Sequence, residues 1–125
     1  MPASEIPAGV TVGVDLVDIA RFERVIERWG DRFLDRIFTP EERRSCAETA
    51  RPSIHLAARF AAKEAIFKLL GGRGVSWREI DLPRMPGRRA EPRLCGNTAR
   101  LLGGRRLSVS LSHTDTQAVA VAAAH

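Results

Sequence analysis

Residues 57–72 read Ala57-Ala58-Arg59-Phe60-Ala61-Ala62-Lys63-Glu64-Ala65-Ile66-Phe67-Lys68-Leu69-Leu70-Gly71-Gly72, and no other stretch constrains the fold as strongly. Alanine and apolar side chains cover most of such a helix, so it must be buried. The glycine pair stops it. At about 100° per residue, Leu56, Phe60 and Phe67 share one side of the helix. Glu64 and Lys68 border that side on one flank, Arg59 and Lys63 on the other. One carboxylate and three cations beside a buried aromatic seam require partners or a ligand.

A chain of 125 residues with 44% hydrophobic content suits one compact domain. We take residues 1–125 as that domain, with residues 1–8 as a loose arm carrying two prolines and no periodicity. A formal charge of +5 and a pI near 10.5 favour anionic partners without choosing among them. Lys63 and Lys68 are the only lysines, and both lie in the helix above. Cys46 and Cys95 belong to no metal-type spacing. With no basic, apolar leader and no apolar run of about 20 residues, a reduced cytoplasmic protein is the simplest expectation.

Around the helix, the pattern reads as strands and shorter helices. Val10 to Val17 alternates as a strand, with Val10, Val12, Val14 and Leu16 on one face and Thr11, Gly13, Asp15 and Val17 on the other. Asp18 is a candidate N-cap for a helix with Ile19, Phe22, Val25, Ile26 and Trp29 inward and Arg21, Arg24 and Arg28 on another face. Gly30 ends it, and Asp31 to Phe38 reads as a short helix. Thr39-Pro40-Glu41-Glu42 predicts a capping box, with a helix to about Ala50. Arg51-Pro52 breaks the chain, and Ser53 is a candidate cap for the long helix. Ser76 to Glu79 suggests a second capping box. Short strands are expected at Ile80–Leu82 and Arg93–Cys95 around a proline- and arginine-rich turn, Pro83 to Pro92. A short helix at Asn97–Leu102 follows, then a hairpin of Leu107–His113 and Ala118–Ala122. This order predicts an α+β fold, a small antiparallel sheet packed against the long central helix and shorter helices.

Asp15 and Glu64 are the first chemical candidates. Two carboxylates on apolar elements can bind a hard cation such as magnesium, which takes one or two protein carboxylates plus waters and phosphates. The alternative is that each pairs with an arginine. Lys68 follows Glu64 by one turn, which reads either as an ordinary i, i+4 pair or as a phosphate-binding or proton-handling lysine. Lys63 reads as structural or as a snorkelling, solvated side chain. His113 closes a strand beside Ser112, but no nucleophile elbow is present, so a hydrolase is excluded. Gly71-Gly72-Arg73-Gly74 lacks the Lys-Ser/Thr ending of a phosphate-binding P-loop and follows a helix, not a strand.

Four stretches occur in a telling order: Gly13-Val-Asp15-Leu-Val-Asp-Ile19, Phe38-Thr-Pro-Glu41, Arg59-Phe-Ala-Ala-Lys-Glu-Ala65 with Lys68 and Gly71, and Ser110-Leu-Ser-His-Thr114. Together they resemble the holo-acyl carrier protein synthases, the short class of phosphopantetheinyl transferases, over roughly Val10 to Ala122. The resemblance implies transfer of the phosphopantetheine arm of coenzyme A to a serine of an apo-acyl carrier protein, with magnesium and release of 3′,5′-ADP. It implies Asp15 and Glu64 as metal ligands, and Glu64, Lys68 and His113 as the catalytic set. It also implies Lys68, His113 and Arg59 at coenzyme A, and Arg21, with Arg24 and Arg28 beside it, at the acidic carrier protein. Glu64 or a metal-bound water beside it would take the serine proton. Members are commonly homotrimers with active sites between subunits. The segment from Pro83 to Pro92 is richer in proline and arginine than the family's hairpin. A competing reading is a non-enzymatic basic module that binds nucleic acid. It rests on the pI and the paired arginines, and against it stand the absence of tyrosine and of any recognisable nucleic-acid motif.

Overall fold

The computed structural model describes residues 9–83 and 91–125. The expected N-terminal arm, 1–8, and most of the expected turn between Pro83 and Pro92 lie outside the described residues.

Strand β1 (Thr11–Asp18) leads into helices α1 (Ile19–Trp29), α2 (Asp31–Ile37) and α3 (Pro40–Ala47), then the long α4 (Pro52–Leu69). A single 3-10 turn (Trp77–Glu79) precedes β2 (Ile80–Asp81), β3 (Arg93–Leu94), α5 (Gly96–Leu102), β4 (Leu107–His113) and β5 (Gln117–Ala124). The main sheet is antiparallel in the order β1-β5-β4, and β2 pairs with β3 separately. This is the α+β architecture that the order of elements predicts.

Helix α4 lies across β1 and β5. Small side chains permit the close approach. Ala57, Ala61, Ala62 and Ala65 of the helix and Ala118, Ala120, Ala122 and Ala124 of β5 are all fully buried. At Gly13 the contact is tighter still, for a β-carbon placed there would sit 2.0 Å from the carbonyl oxygen of Ala65. Any side chain at this position would push the helix off the sheet.

The register resolves which face of β1 is inward. Gly13 and Val17 are buried against α4, and Asp15 points the same way, partly covered. Val12, Val14 and Leu16 lie on the opposite face and are exposed, as is Val121 of β5, which pairs with Val14. Among the described residues, these four form an exposed apolar face of the sheet.

The Thr39 capping box forms as expected, with the Thr39 hydroxyl accepting from Glu42 N and Glu42 accepting from Thr39 N. Other local expectations need correction. Asp18 occupies the N-cap position of α1 but its side chain makes no capping bond, because the strand pairing with β5 continues through it. Ser53 donates to Glu23 and does not cap α4, whose N-cap is Arg51. Ser76 makes no side-chain cap; Glu79 instead accepts from Asn97 N, Thr98 N and the Thr98 hydroxyl, gripping the start of α5. Helix α3 stops at Ala47 and not near Ala50. Trp29, expected on the inner face of α1, is 53% exposed.

Candidate active site

Asp15 reaches the site from the inner face of β1, and Glu64 comes from the middle of α4. Both line an open groove of about 480 Å³, with Asp18, Arg21 and Gln117 at its polar edge and Phe22, Phe33 and Phe60 along its floor. The floor is rigid because its rings interlock. Phe22 and Phe60 lie 5.4 Å apart, Phe60 continues to Trp77 at 6.2 Å, and Trp77 stacks on Phe67 at 5.0 Å. The aromatic side of α4 thus supports the carboxylate instead of merely filling the core.

Lys68 follows Glu64 by one turn but does not pair with it. Its ammonium donates to Asp15 Oδ1 at 3.0 Å and to the Val14 carbonyl at 3.1 Å. Glu64 is held above the ordinary glutamate range, first by burial and second by the negative charge of Asp15, while Lys68 pulls it down. A partly buried carboxylate with a second carboxylate beside it favours a cation between them. The donor set, oxygen only and doubly acidic, fits magnesium.

The remaining cations of α4 are already partnered. Lys63 is fully buried. Its ammonium donates to Glu42 Oε1 at 2.7 Å and lies within bonding distance of the carbonyls of Ile37, Trp77 and Ile80. Burial pushes Lys63 below the usual lysine range, and Glu42 draws it back. Its hydrogen-bond partners are all acceptors, which suits the donor-only ammonium form. Glu42 in turn accepts from Thr39 N and Leu82 N. Lys63 is structural, as one of the two expectations held, but it is not solvated. Arg59 is also buried, donating to the Leu82 carbonyl at 3.0 Å and the His55 carbonyl at 3.3 Å.

One chain does not gather every candidate. Arg21 joins Asp15 and Glu64 in the groove, and Lys68 joins them through Asp15. Neither His113 nor Arg59 lines that groove. His113 ends β4 and pairs with Ala118, whereas Asp15 pairs with Ala120 from the other side of β5. An entire strand separates the two backbones, about 9–10 Å at ordinary strand spacing.

Arg24 and Arg28 continue from Arg21 along α1 and line an adjoining shallow groove with Trp29. A further recess is lined by Val25, Trp29, Arg32, Phe33 and Arg36. Arg32 and Arg36 extend the basic stripe onto α2, and the sequence reading missed them. The spacing of four from Arg28 to Arg32 and again from Arg32 to Arg36 is the available signal, hidden by the break at Gly30. The reading missed Glu42 too, treating it only as a capping residue.

The family model described as the 4′-phosphopantetheinyl transferase superfamily matches residues 11–122. A holo-[acyl-carrier-protein] synthase of Koribacter versatilis is 45% identical over 114 residues, covering 86% of this chain and 91% of that protein. A crystal structure of the holo-[acyl-carrier-protein] synthase of Neisseria meningitidis superposes with a TM-score of 0.83 at 33% identity, over 92% of this chain and 97% of that one. The Helicobacter pylori enzyme, solved in complex with coenzyme A, superposes with a TM-score of 0.80 at 30% identity, over 91% of this chain and 99% of that one.

Proposed function

The chain belongs to the 4′-phosphopantetheinyl transferase superfamily, and from that premise we propose that it transfers 4′-phosphopantetheine from coenzyme A to a serine of an apo-acyl carrier protein, with magnesium, releasing 3′,5′-ADP. The observation that carries the reading is the pair of facing carboxylates, Asp15 and Glu64, with Lys68 bound to the first and Glu64 held above its ordinary range.

In the reaction the serine oxygen forms a bond to the pyrophosphate phosphorus that carries pantetheine. The bond from that phosphorus to the bridging oxygen breaks, and the electron pair leaves with 3′,5′-ADP. Asp15 and Glu64 would hold the magnesium, which when bound neutralises charge on the pyrophosphate. Lys68 supplies a compact positive charge to the same oxygens, exchanging Asp15 for phosphate as it does so. Glu64, with its raised affinity for a proton, is suited to receive the serine proton. The interlocked rings of Phe22 and Phe60 fix the carboxylates, so that orientation rather than covalent chemistry lowers the barrier.

The carrier protein docks, on this reading, along Arg21, Arg24 and Arg28. Their stripe opens directly into the groove, and carrier proteins are usually acidic. A homotrimer with shared active sites is supported by two features. The sheet presents Val12, Val14, Leu16 and Val121 uncovered, and His113 and Asp15 stand a strand apart within one chain. A second copy could bring its own His113 to the groove. We read the chain as a single domain. Cys46 and Cys95 are not joined in a disulfide, in accord with a reducing cytoplasm.

The test is direct. The protein is incubated with coenzyme A, magnesium and a panel of apo-carrier proteins, and the carriers are weighed by mass spectrometry. One carrier should gain a single phosphopantetheine, and chelating the metal should stop the gain. No mass change across fatty-acid, polyketide and peptide-synthesis carriers overturns the reading.

A further inference from the structure

The edge between α4 and the β4–β5 hairpin carries a contact that the chemistry above does not use. His113 closes β4 on the face that Val109 turns toward the core, and its own side chain is exposed. Its Nδ1 lies 3.4 Å from the Thr114 carbonyl, a long contact within its own turn. Against it stands His55, near the start of α4. The two ring centroids are 6.0 Å apart and the planes cross at 71°, an edge-to-face arrangement.

His55 is well placed to be a fixed support. It is half-buried on a helix that is packed along its length. Its carbonyl accepts from Arg59, whose Nε is bound to the Leu82 carbonyl. The turn beyond His113 is fastened from both sides. Arg51 meets Asp115 at 3.3 Å, and Ile19 N donates to the Thr116 carbonyl at 2.9 Å. The imidazole pair and the exposed Arg51–Asp115 contact both bridge the start of α4 and the hairpin turn.

An exposed imidazole at a strand end has two soft torsions, and ordering them on binding costs free energy. A second ring packed against it removes part of that freedom beforehand. We propose that His55 is a positioning residue: its ring fixes the orientation of His113, and so sets how well His113 meets a phosphate of coenzyme A. This rests on the reading of His113 as a coenzyme A contact, and the experiment separates the two.

Coenzyme A binding to the intact protein is measured by calorimetry without a carrier, alongside KM and kcat for transfer. The variants are His55→Ala, His55→Phe, His113→Ala and the double alanine. If His55 positions His113, His55→Ala weakens coenzyme A binding about two- to tenfold, the range an aromatic edge contact spans. KM for coenzyme A rises with it while kcat holds. His55→Phe, which keeps a ring edge, restores binding, and the double variant binds no worse than His113→Ala alone. Normal binding by His55→Ala while His113→Ala binds weakly overturns the positioning role. Equal defects in His55→Ala and His55→Phe overturn the ring-edge account. Unchanged binding by His113→Ala overturns the underlying reading of His113, and the proposal falls with it.

Discussion

Lys68 is bound to Asp15, across the gap between helix and strand, and not to Glu64 on its own helix. The pair is open to solvent on the lysine side, with Lys68 53% and Asp15 16% exposed at the side chain. Solvent screens such an ion pair, so its contribution to folding is about 0–1 kcal/mol. Lys68→Met should therefore leave the unfolding midpoint almost unchanged while transfer falls by about 10²–10³, the usual loss when a preorganised charge at a reacting phosphate is removed. Thermal unfolding and steady-state kinetics on one preparation check both halves. A variant as active as the parent removes Lys68 from the site.

Glu64 gives the opposite signature. Burial and Asp15 raise it in the folded chain above its unfolded value. The resulting penalty is absent below the unfolded value and grows as pH rises through the folded one. Glu64→Gln, measured without divalent cations, should thus be more stable than the parent at neutral pH, and the gap should close on acidification. The same variant should fail to transfer. A Gln variant less stable than the parent at neutral pH contradicts this account of the groove.

Gly13→Ala tests the helix–strand contact. The added β-carbon meets backbone, the Ala65 carbonyl at 2.0 Å, so no side-chain rotation relieves it. Overpacking of this kind costs about 1–3 kcal/mol, readable in urea unfolding. Because Ala65 follows Glu64 and Gly13 precedes Asp15 by two, the magnesium concentration needed for half-maximal transfer should rise as well. An unchanged metal requirement in a destabilised variant would mean that Gly13 serves packing alone.

Lys63→Met leaves Glu42 buried without its counter-ion. Breaking such a pair from one side costs about 3–5 kcal/mol. Adding Glu42→Gln removes the stranded charge, and the double variant should be more stable than Lys63→Met by denaturant unfolding. Additive losses would show that the two groups act independently despite their 2.7 Å contact.

Leu16→Glu addresses the uncovered sheet face. Leu16 is 60% exposed, so the isolated chain should tolerate the change. If this face joins copies of the chain, sedimentation should find a smaller species than the parent, with the helical circular dichroism retained. Equal sedimentation of the two proteins rules the face out as the interface.

Much of this molecule is readable from local pattern. The alanines and phenylalanines of α4, the alternation of β1 and the Thr39–Glu42 box are each set by neighbours within a turn or a pleat, and the structure keeps them. What escaped the sequence depends on long-range partners. Nothing near Lys63 announces that Glu42 will arrive from another helix with three backbone carbonyls around it. Alternation in β1 separates two faces but does not say which is covered. Here the face with glycine and aspartate turned inward, because only it admits α4 so closely. Trp29 was expected inward on amphipathic spacing, yet α1 buries only Ile19 and Phe22 fully. The apolar stripe is wider than the surface available to cover it.

The contact at Gly13 is one of main chain against main chain. The span between strand and helix at this point is set by a missing atom and does not depend on any rotamer. The spacing of the two backbones and the orientation of the carboxylates are thus set by different parts, the first by Gly13 and the second by the interlocked rings. An engineer recutting the groove can therefore tell the two apart: changes to the phenylalanine floor re-aim the carboxylates, whereas a change at Gly13 moves the helix itself.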